Sequence, residues 1–184
     1  MHMNRLRLDH ILRSARKVTG VERFVLIGSA AVLAWREMVP RGMVMTREAD
    51  LFPYEVDNAE QVSDELDGVL GQGSMFDETF GYYCDGVSEQ TAILPTDWLE
   101  RSMEYSSPST EWAIAIVPSP DDIALAKLCA WREKDREWLM VANSHGIISV
   151  PRMKSLLPMM PERSPDTTEL ERRLIAVEGQ FRLY

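Results

Sequence analysis

Between Glu48 and Glu100 the chain has no lysine or arginine, against fourteen aspartates and glutamates. That absence excludes an electrostatic grip on nucleic acid through the middle of the sequence. Any such grip must come from residues 1–47, with nine basic residues and three acids, or from the region around Lys127. Long apolar runs are also missing: none approaches the roughly eighteen residues a membrane span needs, which argues against membrane partners. Met1-His2-Met3-Asn4-Arg5-Leu6 leads into a charged helix and has no signal-peptide core, so the expected location is cytoplasmic. Only two cysteines occur, Cys84 and Cys129, without the spacing of a metal knuckle; reduced, buried thiols are expected. His10 and His145 have no nearby cysteines or paired acids at ligand spacing, which argues against a zinc site or a histidine base; both are expected at the surface or at helix caps. Repeats and low-complexity tracts are absent.

What is present is a chain of 184 residues, 45% hydrophobic and with a net charge of -9, enough to bury a sizeable core. Helices and strands alternate, so the fold class is α/β or α+β. Leu6, Leu8, Ile11, Leu12, Ala15 and Val18 recur at helical spacing, predicting a helix over 4–19 that Gly20 terminates. Strands are predicted at 23–28, 47–54, 81–84, 91–94 and 112–117, with Asp85-Gly86-Val87-Ser88 as a turn. Helices are predicted at 29–38, from Asn58 to Leu70, from Ser119 to about Arg132, and at 134–145, 151–157 and 166–182. The expected organisation is an α/β core over 1–118 followed by a helical part over 119–184. Trp98, Trp112, Trp131 and Trp138 are expected in the core.

Three groups of residues carry chemistry. Phe24-Val25-Leu26-Ile27 ends in Gly28-Ser29 and opens a helical pattern, a geometry that presents backbone N–H groups to a phosphate. In Thr46-Arg47-Glu48-Ala49-Asp50 the two acids are two apart, so both carboxylates share one face of a strand. Paired carboxylates can anchor Mg²⁺ or Mn²⁺, hard cations that take oxygen ligands; the competing reading is the wet face of an amphipathic strand. Lys127 falls among Ile123, Leu125, Leu128 and Ala130, where its ammonium either neutralises phosphate or snorkels along an apolar face. Arg132, Lys134 and Asp135 follow as phosphate contacts or as a salt-bridge network at a helix end.

Taken together and in order, these segments resemble the nucleotidyltransferase (polymerase-beta-like) superfold, in its small bacterial branch with toxin-antitoxin and abortive-infection members. The likeness covers roughly residues 5–157 and includes Gly81-Tyr82-Tyr83, the Pro95 to Arg101 passage and the helix from Asp122 to Asp135. It implies a mixed β-sheet flanked by helices with a helical C-terminal extension. It also implies transfer of a nucleoside monophosphate from a nucleoside triphosphate to a hydroxyl of RNA or protein, with Mg²⁺ or Mn²⁺. Gly28 and Ser29 would hold phosphates, Glu48 and Asp50 the metals, Lys127 and Arg132 phosphate charge, with Asp135 as an auxiliary acid. Two positions depart from the pattern. Glu48 stands where the family usually has Asp, and Thr91 stands where it has a third acid, leaving Glu89 as the nearest carboxylate for the metal. A catalytically weakened member acting through protein contacts in a toxin-antitoxin pair is the alternative, and a structural subunit whose acidic face meets a basic partner is a third reading.

Overall fold

The computed structural model describes residues 2–179. Helix α1, Arg5–Thr19, starts where the Asn4 side chain accepts a hydrogen bond from Arg7 N at 3.0 Å. It ends where Gly20, at φ 72°, returns its N–H to Arg16 O. A side-chain oxygen at the first end and a residue without Cβ at the second satisfy backbone groups that the helix itself leaves open. Strand β1, Arg23–Ile27, leads into a tight turn at Ser29–Ala31 and a single-turn helix α2, Val32–Trp35. The helix predicted to residue 38 stops early because Trp35 Nε1 donates to Pro118 O at 2.8 Å and Arg36 is extended at φ -138°.

Strand β2, Glu48–Pro53, helix α3, Ala59–Leu70, helix α4, Met75–Phe80, and strands β3, Tyr83–Gly86, β4, Met103–Tyr105, and β5, Ile114–Val117, complete the first of two compact units, Met1–Thr91 with Ser102–Pro118. The five strands lie in the order β3-β2-β1-β5-β4; β1 is antiparallel to β2 and parallel to β5, β2 is parallel to β3, and β4 is antiparallel to β5. The central place of β1 explains its unbroken apolar run, since Phe24, Val25 and Leu26 are fully buried. The fold is thus α/β with a mixed sheet and a helical C-terminal part, as expected.

Several local expectations are corrected. Residues 91–94 form no strand: Thr91 N closes a turn onto Ser88 O at 3.0 Å, and Ala92 O accepts from Arg163 and Thr96 N donates to Met159 O, partners outside any sheet. Asp85 and Gly86, expected in a turn, are the last two residues of β3. Helix α4 and the three-residue edge strand β4 are additional. Trp112, expected in the core, is 65% exposed, and the last sheet strand starts two residues later. His10 is no helix cap: its Nδ1 lies 2.7 Å from Tyr82 Oη within a cluster of Phe76, Phe80 and Tyr82 rings.

The second unit, Ala92–Arg101 with Ser119–Tyr184, holds α5, Pro120–Ala130, α6, Glu133–Ser144, α7, Val150–Leu156, and α8, Thr167–Gly179. The last part of the helix expected to 182 lies outside the described residues. Ser119 caps α5 by accepting from Asp122 N, with Pro120 at the first helical position. Arg101 forks between Asp97, at 2.7 and 2.8 Å, and the fully buried Asp122, at 2.8 Å, which ties residues 92–101 to this unit. Among the described residues no helix is long and apolar enough to cross a membrane.

Gly86 marks where α3 crosses the sheet, because a Cβ there would lie 2.0 Å from Ser63 O. Gly86→Ala is therefore expected to cost about 1–3 kcal/mol of unfolding free energy. Gly68→Ala, with nothing within 4 Å of its Cβ in the same helix, should gain roughly 0.5–1 kcal/mol. Urea titration of the two variants beside the wild type checks both signs.

Candidate active site

Strand β2 alternates: Ala49 and Leu51 are fully buried, whereas Glu48 and Asp50 are half-buried on the opposite face. The parallel register sets Glu48 beside Tyr83, Asp50 beside Asp85 and Leu51 beside Gly86. Since Gly86 lies under α3, the Leu51 layer faces that helix. Glu48, Tyr83, Asp50 and Asp85 consequently share the other face, and three carboxylates stand on two neighbouring strands.

Two further contacts define this face. Tyr83 Oη donates to Glu48 Oε2 at 3.1 Å. Gly28, at φ 74° and ψ -161°, directly abuts Asp50, because a Cβ at this glycine would sit 1.9 Å from Asp50 Oδ2. That backbone conformation is essentially restricted to glycine, so the approach of the carboxylate and the turn into Ser29 depend on the same missing side chain.

The neighbouring groups register the negative field. The Tyr83 phenol is pushed up to about 12, by burial first and then by the charge and hydrogen bond of Glu48 and the charge of Asp85, against the opposing Arg47. The Cys84 thiol, fully buried, is raised well above its usual value by burial and then by Asp85, Asp50 and Asp67. A thiol so protonated is no nucleophile. Among the described residues no three acid, histidine or cysteine side chains close around a point as a ready-made metal cage. The all-oxygen donors of Glu48, Asp50 and Asp85 nevertheless fit Mg²⁺, which keeps water and substrate oxygens in its shell and uses few carboxylates.

In the second unit Lys127 is 8% exposed, with Nζ 3.5 Å from Asp135 Oδ1 and 5.1 Å from the centre of the Trp138 ring. Asp135 is fully buried at the start of α6 and accepts from Arg132 N and Nε at 3.2 and 2.7 Å. Burial alone would raise its pKa, but the Arg132 hydrogen bond and the Lys127 and Arg132 charges outweigh it, holding the carboxyl below the usual range.

A family model described as a nucleotidyltransferase of unknown function (DUF6036) matches residues 6–176. The chain belongs to this nucleotidyltransferase family. No curated protein and no solved structure matches it.

In this member of the family Asp50 lies against Gly28, Glu48 stands two residues before it on the same strand, and Ser29 lies in the adjoining turn. Glu89, expected on a strand near Thr91, is instead exposed in the turn over residues 88–91. The residue missed from the sequence is Asp85. Its signal was the alternation of Tyr83, Cys84 and Asp85, the same polar-apolar rhythm as Glu48, Ala49 and Asp50, masked by the turn-like Asp85-Gly86 pair.

Gly28→Ala should lower stability by about 1–3 kcal/mol through its backbone conformation alone, read as a reduced urea midpoint. A pH dependence follows from Asp135. With its folded pKa below the unfolded value of about 3.9, its contribution is complete above that pH and is lost as the pH falls through the lower folded value. Unfolding titrations at about pH 6 and about pH 3 should show a smaller acid-induced loss for Asp135→Asn than for the wild type.

Proposed function

We propose that the chain is a metal-dependent nucleotidyltransferase that moves a nucleoside monophosphate from a nucleoside triphosphate to a hydroxyl of RNA or of a protein. The observation that carries this reading is the register of Asp50 with Asp85, which adds a third carboxylate to Glu48 and Asp50 on one sheet face beside Gly28. Glu48, Asp50 and Asp85 would hold Mg²⁺ or Mn²⁺, and Gly28 and Ser29 would bound the triphosphate. Such an ion, when bound, would supply Lewis-acid charge at the phosphate oxygens. In this reading the acceptor hydroxyl passes its proton to water as its oxygen bonds to the α-phosphorus, and the bridging oxygen leaves with the electron pair of the broken bond as part of pyrophosphate. Lys127 and Arg132, which the family resemblance assigns to phosphate charge, are paired with Asp135 within the second unit.

The alternative is a catalytically weakened, partner-binding protein, which the exposed place of Glu89 favours; in the enzyme reading Asp85 would stand as the third acid. A toxin-antitoxin setting is compatible with the enzyme reading and would make the cognate protein either its acceptor or its inhibitor.

Calorimetric titration of the four ribonucleoside triphosphates with and without Mg²⁺ or Mn²⁺ tests the proposal. Cation-dependent binding is expected in the wild type, weakened at least about 100-fold in Asp50→Asn and Asp85→Asn. It should be unchanged in Glu89→Gln. Absence of cation-dependent binding in the wild type overturns the reading, and loss in Glu89→Gln with retention in Asp85→Asn returns the third position to Glu89.

A further inference from the structure

We infer that Tyr83 is a positioning residue for Glu48, and that the two side chains together make glutamate the required acid at this place. The inference rests on the reading that Glu48 is a metal ligand. A glutamate has one more rotatable bond than an aspartate, and strict octahedral coordination penalises a carboxylate that swings. The structure contains a brace against that swing. Tyr83 stands directly beside Glu48 in the parallel register, and its hydroxyl donates to Oε2 at 3.1 Å. An aspartate at 48 would fall short of the same hydroxyl by about one carbon–carbon bond, about 1.5 Å.

The brace is itself held. The Tyr83 ring is 8% exposed, and the Arg47 guanidinium lies over it, 5.6 Å from the ring centre. Arg47 donates to Gly81 O at 2.9 Å and pairs with Asp77. Asp77 is buried and also accepts from Gly73 N at 3.1 Å. The series Asp77, Arg47, Tyr83, Glu48 thus runs from the first turn of α4 to the first carboxylate, and each member fixes the orientation of the next.

Titration of Mn²⁺ alone, followed by the electron paramagnetic resonance of the free ion, tests this with the wild type, Tyr83→Phe, Glu48→Asp and the double variant. Tyr83→Phe keeps the ring and its packing, which an unchanged melting temperature and circular dichroism spectrum would confirm. It should weaken Mn²⁺ binding about tenfold. Glu48→Asp should weaken it although a carboxylate is retained, and Tyr83→Phe should add nothing in the Glu48→Asp background. Wild-type affinity in Tyr83→Phe, or an equal loss in both backgrounds, overturns the inference. Should Tyr83→Phe fail to fold, Glu48→Asp decides alone: binding as tight as the wild type overturns it. A wild type that binds no Mn²⁺ overturns the site reading and this inference together, whereas binding lost in Asp50→Asn but indifferent to Tyr83→Phe overturns this inference alone.

Discussion

The parallel register of β2 with β3 is the constraint on which the rest of the site depends. It sets Asp50 beside Asp85 and Glu48 beside Tyr83, and by the same alternation sends Ala49, Leu51, Cys84 and Gly86 toward α3. A slip of one residue would put the carboxylates under the helix and the apolar side chains in water. The register is secured by packing: Ser63 and Leu66 of α3 close on Gly86, Gly86 N donates to Asp67 Oδ1 at 2.7 Å, and Ser63 Oγ donates to Val87 O at 2.9 Å. The apolar half of the sheet therefore determines where the acids stand, although it takes no part in their chemistry.

That arrangement sacrifices some stability. Three carboxylates on adjacent strands repel one another. The elevated Tyr83 and Cys84 pKa values are local consequences of the same field together with burial. In the proposed function a bound divalent cation would relieve this repulsion. Arg47, the residue immediately before Glu48, turns toward Asp77 and the Tyr83 ring.

The second unit treats its buried charges differently. Asp122 and Asp135 are both fully buried, yet each is met by guanidinium or ammonium groups, and among the described residues no buried side-chain nitrogen or oxygen lacks a hydrogen-bond partner. Removing one partner would strand a charge, so these acids hold helix starts in place. Lys127 illustrates the ambiguity of sequence: its apolar neighbours were visible in the chain, but the ring of Trp138 and the carboxylate of Asp135 beside it were not.

Local chemistry was legible where it depends on neighbours in the chain. The capped first helix, the buried β1 run, the glycine at the strand-to-turn junction and the shared face of Glu48 and Asp50 all follow from spacing and backbone preference. The strand expected at 91–94 failed because Thr91 N closes a turn onto Ser88 O and Ala92 O is taken by Arg163, 71 residues away, which no local pattern records. Asp85 stayed hidden for a related reason. Its relation to Asp50 is a pairing between strands, as is that of Tyr83 to Glu48 across 35 residues, and Asp-Gly reads locally as a turn. By itself the sequence determined two acids, a glycine and the kind of fold that could use them. Only the tertiary structure decided that Asp85 stands beside Asp50 and Tyr83 beside Glu48, because register is set by how α3 packs on the sheet and not by the residues that register brings together.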